Sequence, residues 1–226
     1  LLNSKSARFP HGLGNSSGVV RKYLTDTTRT SVRGFIPKMM SGVPHNEDGA
    51  SGSHLFMPWW GDNKKLDFPR GYHIELGGGR RMPGFGTLSG VHLYHTTSGD
   101  GGLVQAGGYG KQLKDDYRRF YGSTVSFSGR GEMIPNKDTY LEIDPNVVDK
   151  WGIPVPRFHF KFTEYEINQA KHMQETFRAI TAERGGTPMS EMPSRDGNYG
   201  LAAGGRIIHE LGVTRMGNDP STSVLN

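Results

Sequence analysis

The 226 residues are enough for one large domain, or one domain and part of another, and for burying a real core. Thirty-three glycines, 13 prolines and 10% aromatics describe a loop-rich globular chain rather than a disordered one. The net charge of +5 is scattered over short pairs such as Lys64–Lys65 and Arg80–Arg81 among interleaved acids, which sets nucleic acid aside; zero cysteines exclude disulfides, thiolate metal sites and a Cys nucleophile; no apolar run approaches a membrane span of about 18 residues.

In chain order, Leu1–Asp26 reads as an apolar element, a Gly/Asn/Ser turn cluster and a short second element at Val19–Leu24. The chain begins without Met, inside an apolar run, and is read as a piece of a longer protein. Alternation predicts strands at Val32–Ile36, Gly71–Leu76 and Gly90–Thr96, with a polar surface loop over Ser41–Ser53. Lys111–Tyr121 is a candidate helix, and Ser123–Ser128 and Thr139–Ile143 are further strands. Arg157–Phe162 alternates strongly, with Phe158, Phe160 and Phe162 on one face. Then comes the clearest helix. Thr163-x-x-Glu166 has capping-box spacing, Ile167, Ala170, Met173, Phe177 and Ile180 form a stripe, and Gly185-Gly186 ends it. Many antiparallel-looking strands with few helices make the class α+β, an antiparallel sheet covered by helices.

Three Gly-rich stretches, Gly12–Gly18, Gly84–Gly90 and Gly99–Gly110, lack the strand–G-x-G-x-x-G–helix context and read as turns. His92 and His95, three apart in a strand, point to opposite faces and make a poor metal pair; no metal is expected. His73 and Glu75 share a strand face, either as a pocket wall or as an exposed pair. His209 follows an apolar segment, Arg206–Ile208, and precedes a turn-rich run, a good place for a neutral imidazole that takes a proton. Taken alone, His209 is one histidine among nine, and a satisfied structural histidine is the safer reading.

His209-Glu210-Leu211-Gly212-Val213-Thr214-Arg215-Met216-Gly217-Asn218-Asp219-Pro220 resembles the H-x-x-G-x-x-R-M-G-x-D-P element of the glucose–methanol–choline (GMC) oxidoreductases. Leu1-Leu2-Asn3-Ser4 is similar to that family's L-L-x-N-S strand end, and Val20-x-x-Tyr23-Leu24-x-Asp26 to its G-R-x-L-x-D segment. Gly131-Glu132-x-x-Pro135-Asn136 and Asp149-x-Trp151-Gly152-Ile153-Pro154-x-Pro156 resemble the substrate domain of sugar-oxidising members. Two departures stand out. Arg21-Lys22 replaces the family's Gly-Arg, and Thr27 follows Asp26 where many relatives carry His.

The resemblance implies an FAD-dependent oxidation of CH–OH groups in a sugar or polyol, with His209 as base and the hydride passing to the flavin. It implies cofactor contacts at Asn3, Ser4, Asp26 and Met216. For a sugar-oxidising enzyme, His73 and Glu75 on their shared strand face would line the substrate pocket and Trp59 or Trp60 would stack on a sugar face, although adjacent tryptophans in a Pro-flanked run often just anchor a loop. Glu210 and Asp219 read as surface and turn groups. Residues 1–30 and 201–226 would belong to the flavin domain and 31–200 to the substrate domain. An electron-transfer subunit or cytochrome is the expected protein partner, and the bacterial periplasm is set ahead of the cytoplasm. No dinucleotide-binding motif lies within these residues, so the fragment alone is expected to be inactive. The competing reading is a non-catalytic carbohydrate-binding or structural module derived from the same domain.

Overall fold

A computed structural model describes residues 1–42, 53–56, 65–78, 95–97, 103–105 and 109–226. Trp59, Trp60, His92 and the glycines at 84–90 lie outside the described residues. So does most of the loop expected over Ser41–Ser53 and of the strand expected over Gly90–Thr96. The chain forms two compact units, one of residues 29–131 and 167–201, the other of residues 1–28, 132–166 and 202–226.

The first unit is built on a five-stranded sheet. Its strands are β1 (Thr28–Phe35), β2 (Ser53–Phe56), β3 (Tyr72–Gly78), β6 (Thr124–Gly131) and β9 (Thr187–Pro188), in the order β2-β3-β6-β1-β9. The β2–β3, β3–β6 and β1–β9 pairs are antiparallel. A 3-10 helix (Pro37–Ser41), a small antiparallel pair, β4 (His95–Thr97) with β5 (Leu103–Gln105), and helix α1 (Gly110–Phe120) are the other elements before β6 among the described residues.

Period-two patterning sets the sheet. Tyr72 and Ile74 of β3 are buried while His73 and Glu75, between and beside them, are only half-buried. Helix α2 (Glu164–Glu183) supplies the matching apolar stripe, with Ala170, Met173 and Phe177 fully buried. Phe177 stacks on Phe127 with ring centroids 5.8 Å apart and meets Tyr72 edge-on at 6.4 Å. Burying side chains of this size contributes about 1.5–3 kcal/mol each. Gly129 of β6 makes the contact close. A methyl group there would lie 2.5 Å from Met173 Sδ and 3.0 Å from Phe177 Cζ.

Periodicity did not reveal that polar groups of α2 are buried too. Gln174 Nε2 donates to Thr30 Oγ1 at 2.6 Å and to the Ser31 carbonyl, and Gln169 Nε2 donates to the Arg70 carbonyl. Such burial is tolerated because each amide is hydrogen-bonded.

The second unit holds the antiparallel hairpin β7 (Tyr140–Val148) and β8 (Pro154–His159), whose register shifts between Ile143 and Val148. Tyr140 stacks on His159 at 4.3 Å, and His159 Nε2 lies 2.9 Å from Glu142 Oε1. The capping box forms as read: Glu166 Oε2 accepts the Thr163 N–H at 2.7 Å, while its Oε1 accepts the Ile134 N–H at 2.9 Å.

Two expectations change. Leu1–Asp26 forms turns with isolated bridges, Lys22 to Tyr140 and Thr25 to Leu211, rather than two elements. Residues 1–20 close on themselves in turns, while Arg21, Leu24 and Thr25 pair with residues far along the chain that local patterning could not specify. The strand at 157–162 ends at His159, leaving Phe158 exposed and the Phe160 and Phe162 rings packed edge-to-face beyond it. The α+β class stands.

Candidate active site

His209 sits in the second unit, on a turn-rich segment held from below by one carboxylate. Asp26 is 4% exposed. Its Oδ1 accepts the N–H of Thr27 at 2.7 Å and of His209 at 3.1 Å, and its Oδ2 accepts the Gly205 N–H at 3.2 Å. A buried carboxylate needs such donors, and here they tie both ends of the 205–209 loop to one point. Asp26, expected at the cofactor, therefore spends its oxygens on the backbone that carries His209.

The imidazole itself is exposed, with Nδ1 3.3 Å from Thr27 Oγ1. When Nδ1–H donates to that hydroxyl, Nε2 keeps the lone pair that a general base needs. Sequence reading noted Thr27 only as a departure from the family. Its adjacency to Asp26 was the available signal, but the partnership with His209 spans the whole fold.

The backbone around this histidine is unusual. Ile208 has a φ of 60° and is 77% exposed, a left-handed conformation that β-branched residues avoid. Beyond it, Thr25 and Leu211 exchange two backbone hydrogen bonds of 3.0 and 2.9 Å. Gly212 then passes so close to Tyr23 that an added methyl group would fall 1.9 Å from the Tyr23 carbonyl oxygen. Arg215 lies over the Tyr23 ring at 4.6 Å, and the exposed Leu211 and Met216 sit on the same segment. Glu210 is exposed, and Asp219 binds the N–H and hydroxyl of Ser221, a turn group with its carboxyl held below the usual range by those bonds.

Arg21 stands where the family pattern has glycine and adopts a φ of 90°. Its N–H donates to the Val213 carbonyl at 2.9 Å and its carbonyl accepts from Leu141 at 3.0 Å. Those two bonds keep a glycine-like backbone at a residue with a side chain.

A cavity of about 490 Å³ opens beside it, lined among others by Lys5, His11, Asn15, Ser17, Arg21 and Glu142. Asn15 Oδ1 and Ser17 Oγ are buried there without a hydrogen-bond partner among the described residues. Unpartnered polar atoms next to two cations suit a ligand carrying hydroxyls and anionic groups, as FAD does. Of the other expected cofactor residues, Asn3 donates to the Pro154 carbonyl at 3.1 Å and Ser4 donates its N–H to Leu1. In the first unit, His73 and Glu75 share the sheet face away from the core, with Glu75 bonded to Arg130 at 2.9 Å. Burial, and secondarily His54, lowers the His73 pKa.

Residues 135–226 match the family described as GMC oxidoreductase. Over the full chain, 24% of residues are identical to a 2-methyl-1,2-propanediol dehydrogenase of Mycolicibacterium austroafricanum and 25% to the fructose dehydrogenase large subunit of Gluconobacter japonicus; the chain spans 37% and 36% of those proteins. Over 52% of the chain, identity is 26% to the gluconate 2-dehydrogenase flavoprotein of Pantoea cypripedii, covering 19% of it. The chain thus spans little more than a third of the relatives that it matches end to end. Over residues 135–226 the chain is similar to the GMC oxidoreductase family, and the His209 motif lies within that stretch.

Proposed function

We propose that the protein containing this chain oxidises a CH–OH group of a sugar or polyol, with His209 as the general base and FAD as the hydride acceptor. The observation that carries this reading is the hold on His209: Asp26 fixes its backbone and Thr27 Oγ1 meets Nδ1. The substrate hydroxyl gives its proton to His209 Nε2, and the carbon-bound hydrogen leaves with its electron pair. FAD, when bound, supplies the two-electron acceptor.

Lys5, Asn15, Ser17 and Arg21, with Asn3 and Ser4, are the residues we assign to holding the polar part of that cofactor. Met216, exposed beside Leu211, offers an apolar surface for its ring system. Asp26 serves the cofactor side through the loop that it anchors. His73 and Glu75 are assigned to substrate hydroxyls, supported by their place on the polar sheet face. Substrate class follows the names of the relatives, and the one named a large subunit supports an electron-transfer subunit or cytochrome as partner.

The test is the full-length protein. It should be yellow, and a sugar or polyol substrate should bleach its flavin absorbance. His209→Ala should keep the flavin while slowing bleaching by at least about 100-fold. An equal rate in that variant would remove His209 from the mechanism, and a parent protein without flavin would favour a non-catalytic module.

A further inference from the structure

We propose that His54, His73 and Glu75 form a binding site for one divalent transition-metal ion of the zinc, nickel and copper class. The site comes from the β2–β3 register. His54 pairs with Glu75 across the strands, and His73, two residues before Glu75, shares its face. One ligating atom from each of the three lies within 4.8 Å of the others, and the two imidazole rings are 5.1 Å apart. His73 Nε2 and Glu75 Oε1 are 3.8 Å apart. Ligand atoms around a tetrahedral zinc are separated by about 3.4 Å, given bonds of about 2.0–2.1 Å, so side-chain rotation of roughly an ångström closes the set.

The surroundings favour ligation over a plain polar cluster. Arg130 of β6 donates to Glu75 Oε2 at 2.9 Å, which orients the carboxylate with Oε1 toward His73. Outer partners of this kind accompany ligating carboxylates. His73 and Glu75 face away from Tyr72 and Ile74, so an ion there leaves the core untouched. Two imidazole nitrogens with one carboxylate oxygen suit zinc, nickel or copper, whereas magnesium and calcium need oxygen sets. The Arg130 charge opposes a dication and weakens the site. Three protein ligands also leave a coordination position open, through which a hydroxyl-bearing molecule can join.

The inference does not rest on the proposed function, and its test does not read activity. Full-length protein stripped by a chelator is titrated with Zn²⁺ against a chromogenic competitor, with Mg²⁺ as the control metal. One Zn²⁺ per chain should bind, and Mg²⁺ at the same concentration should not. His73→Ala and Glu75→Gln should each weaken zinc binding at least about tenfold. His54→Ala, at an exposed position where folding is not at stake, should do the same, and His11→Ala should change nothing. Retention of parent affinity in His54→Ala and Glu75→Gln, or absence of zinc from the folded parent, would overturn the site.

Discussion

The two compact units hold themselves together by different means. In the unit of residues 29–131 and 167–201, Phe177, Met173, Tyr72 and Phe127 interlock between sheet and helix with no solvent access to speak of. The other unit carries turns, one hairpin and long-range backbone bonds, with exposed Ile208, Leu211 and Met216 beside its histidine. It buries the scattered Val20, Leu24, Met133 and Ile207, uses Asp26 as a shared acceptor for three backbone N–H groups, and holds left-handed φ values at Arg21, Tyr23 and Ile208, as the first unit does at Asn198 and Tyr199. The difference separates two tasks. Apolar packing yields a stable frame, while hydrogen-bonded, strained backbone can present a base and a ligand cavity at the surface.

If the frame rests on packing, the largest effect belongs to it. Phe177→Ala should cost about 3–5 kcal/mol in chemical unfolding of the full protein, because it empties the centre of the stacked ring cluster. A loss under 1 kcal/mol would mean that the core closes over the gap.

Next in size is Asp26→Ala, which strips a shared acceptor from three backbone donors and should cost about 1–3 kcal/mol. Flavin reduction should slow on the order of 10–100-fold as His209 loses its fixed position. Parent-like reduction would show that the loop keeps its shape without the carboxylate.

The smallest effect has the opposite sign. Arg21→Gly relieves a φ of 90° and should raise stability by up to about 1 kcal/mol, read as a higher melting temperature. A clear loss would show that the Arg21 side chain contributes more than its backbone strain removes.

Legibility in the sequence followed locality. The helix at Glu164–Glu183 was readable because its cap, stripe and stop all lie within about twenty residues. The His209 motif was readable for the same reason, as a contiguous run. Leu1–Asp26 was misread as two elements because residues 1–20 form turns and the partners of residues 21–25, Tyr140, Thr139, Leu211 and Val213, are far away in the chain. The substitution of Arg21 for glycine was visible, but its consequence appeared only as a dihedral angle.

What the sequence by itself determined was the α+β class, the amphipathic helix and a candidate base in a family-like motif, all short-range patterns of residue type. Tertiary structure alone decided that Asp26 anchors the base, that Thr27 meets its ring, and that His54 joins His73 and Glu75. Each of those depends on segments brought together by pairing and packing, and no local periodicity encodes such a meeting.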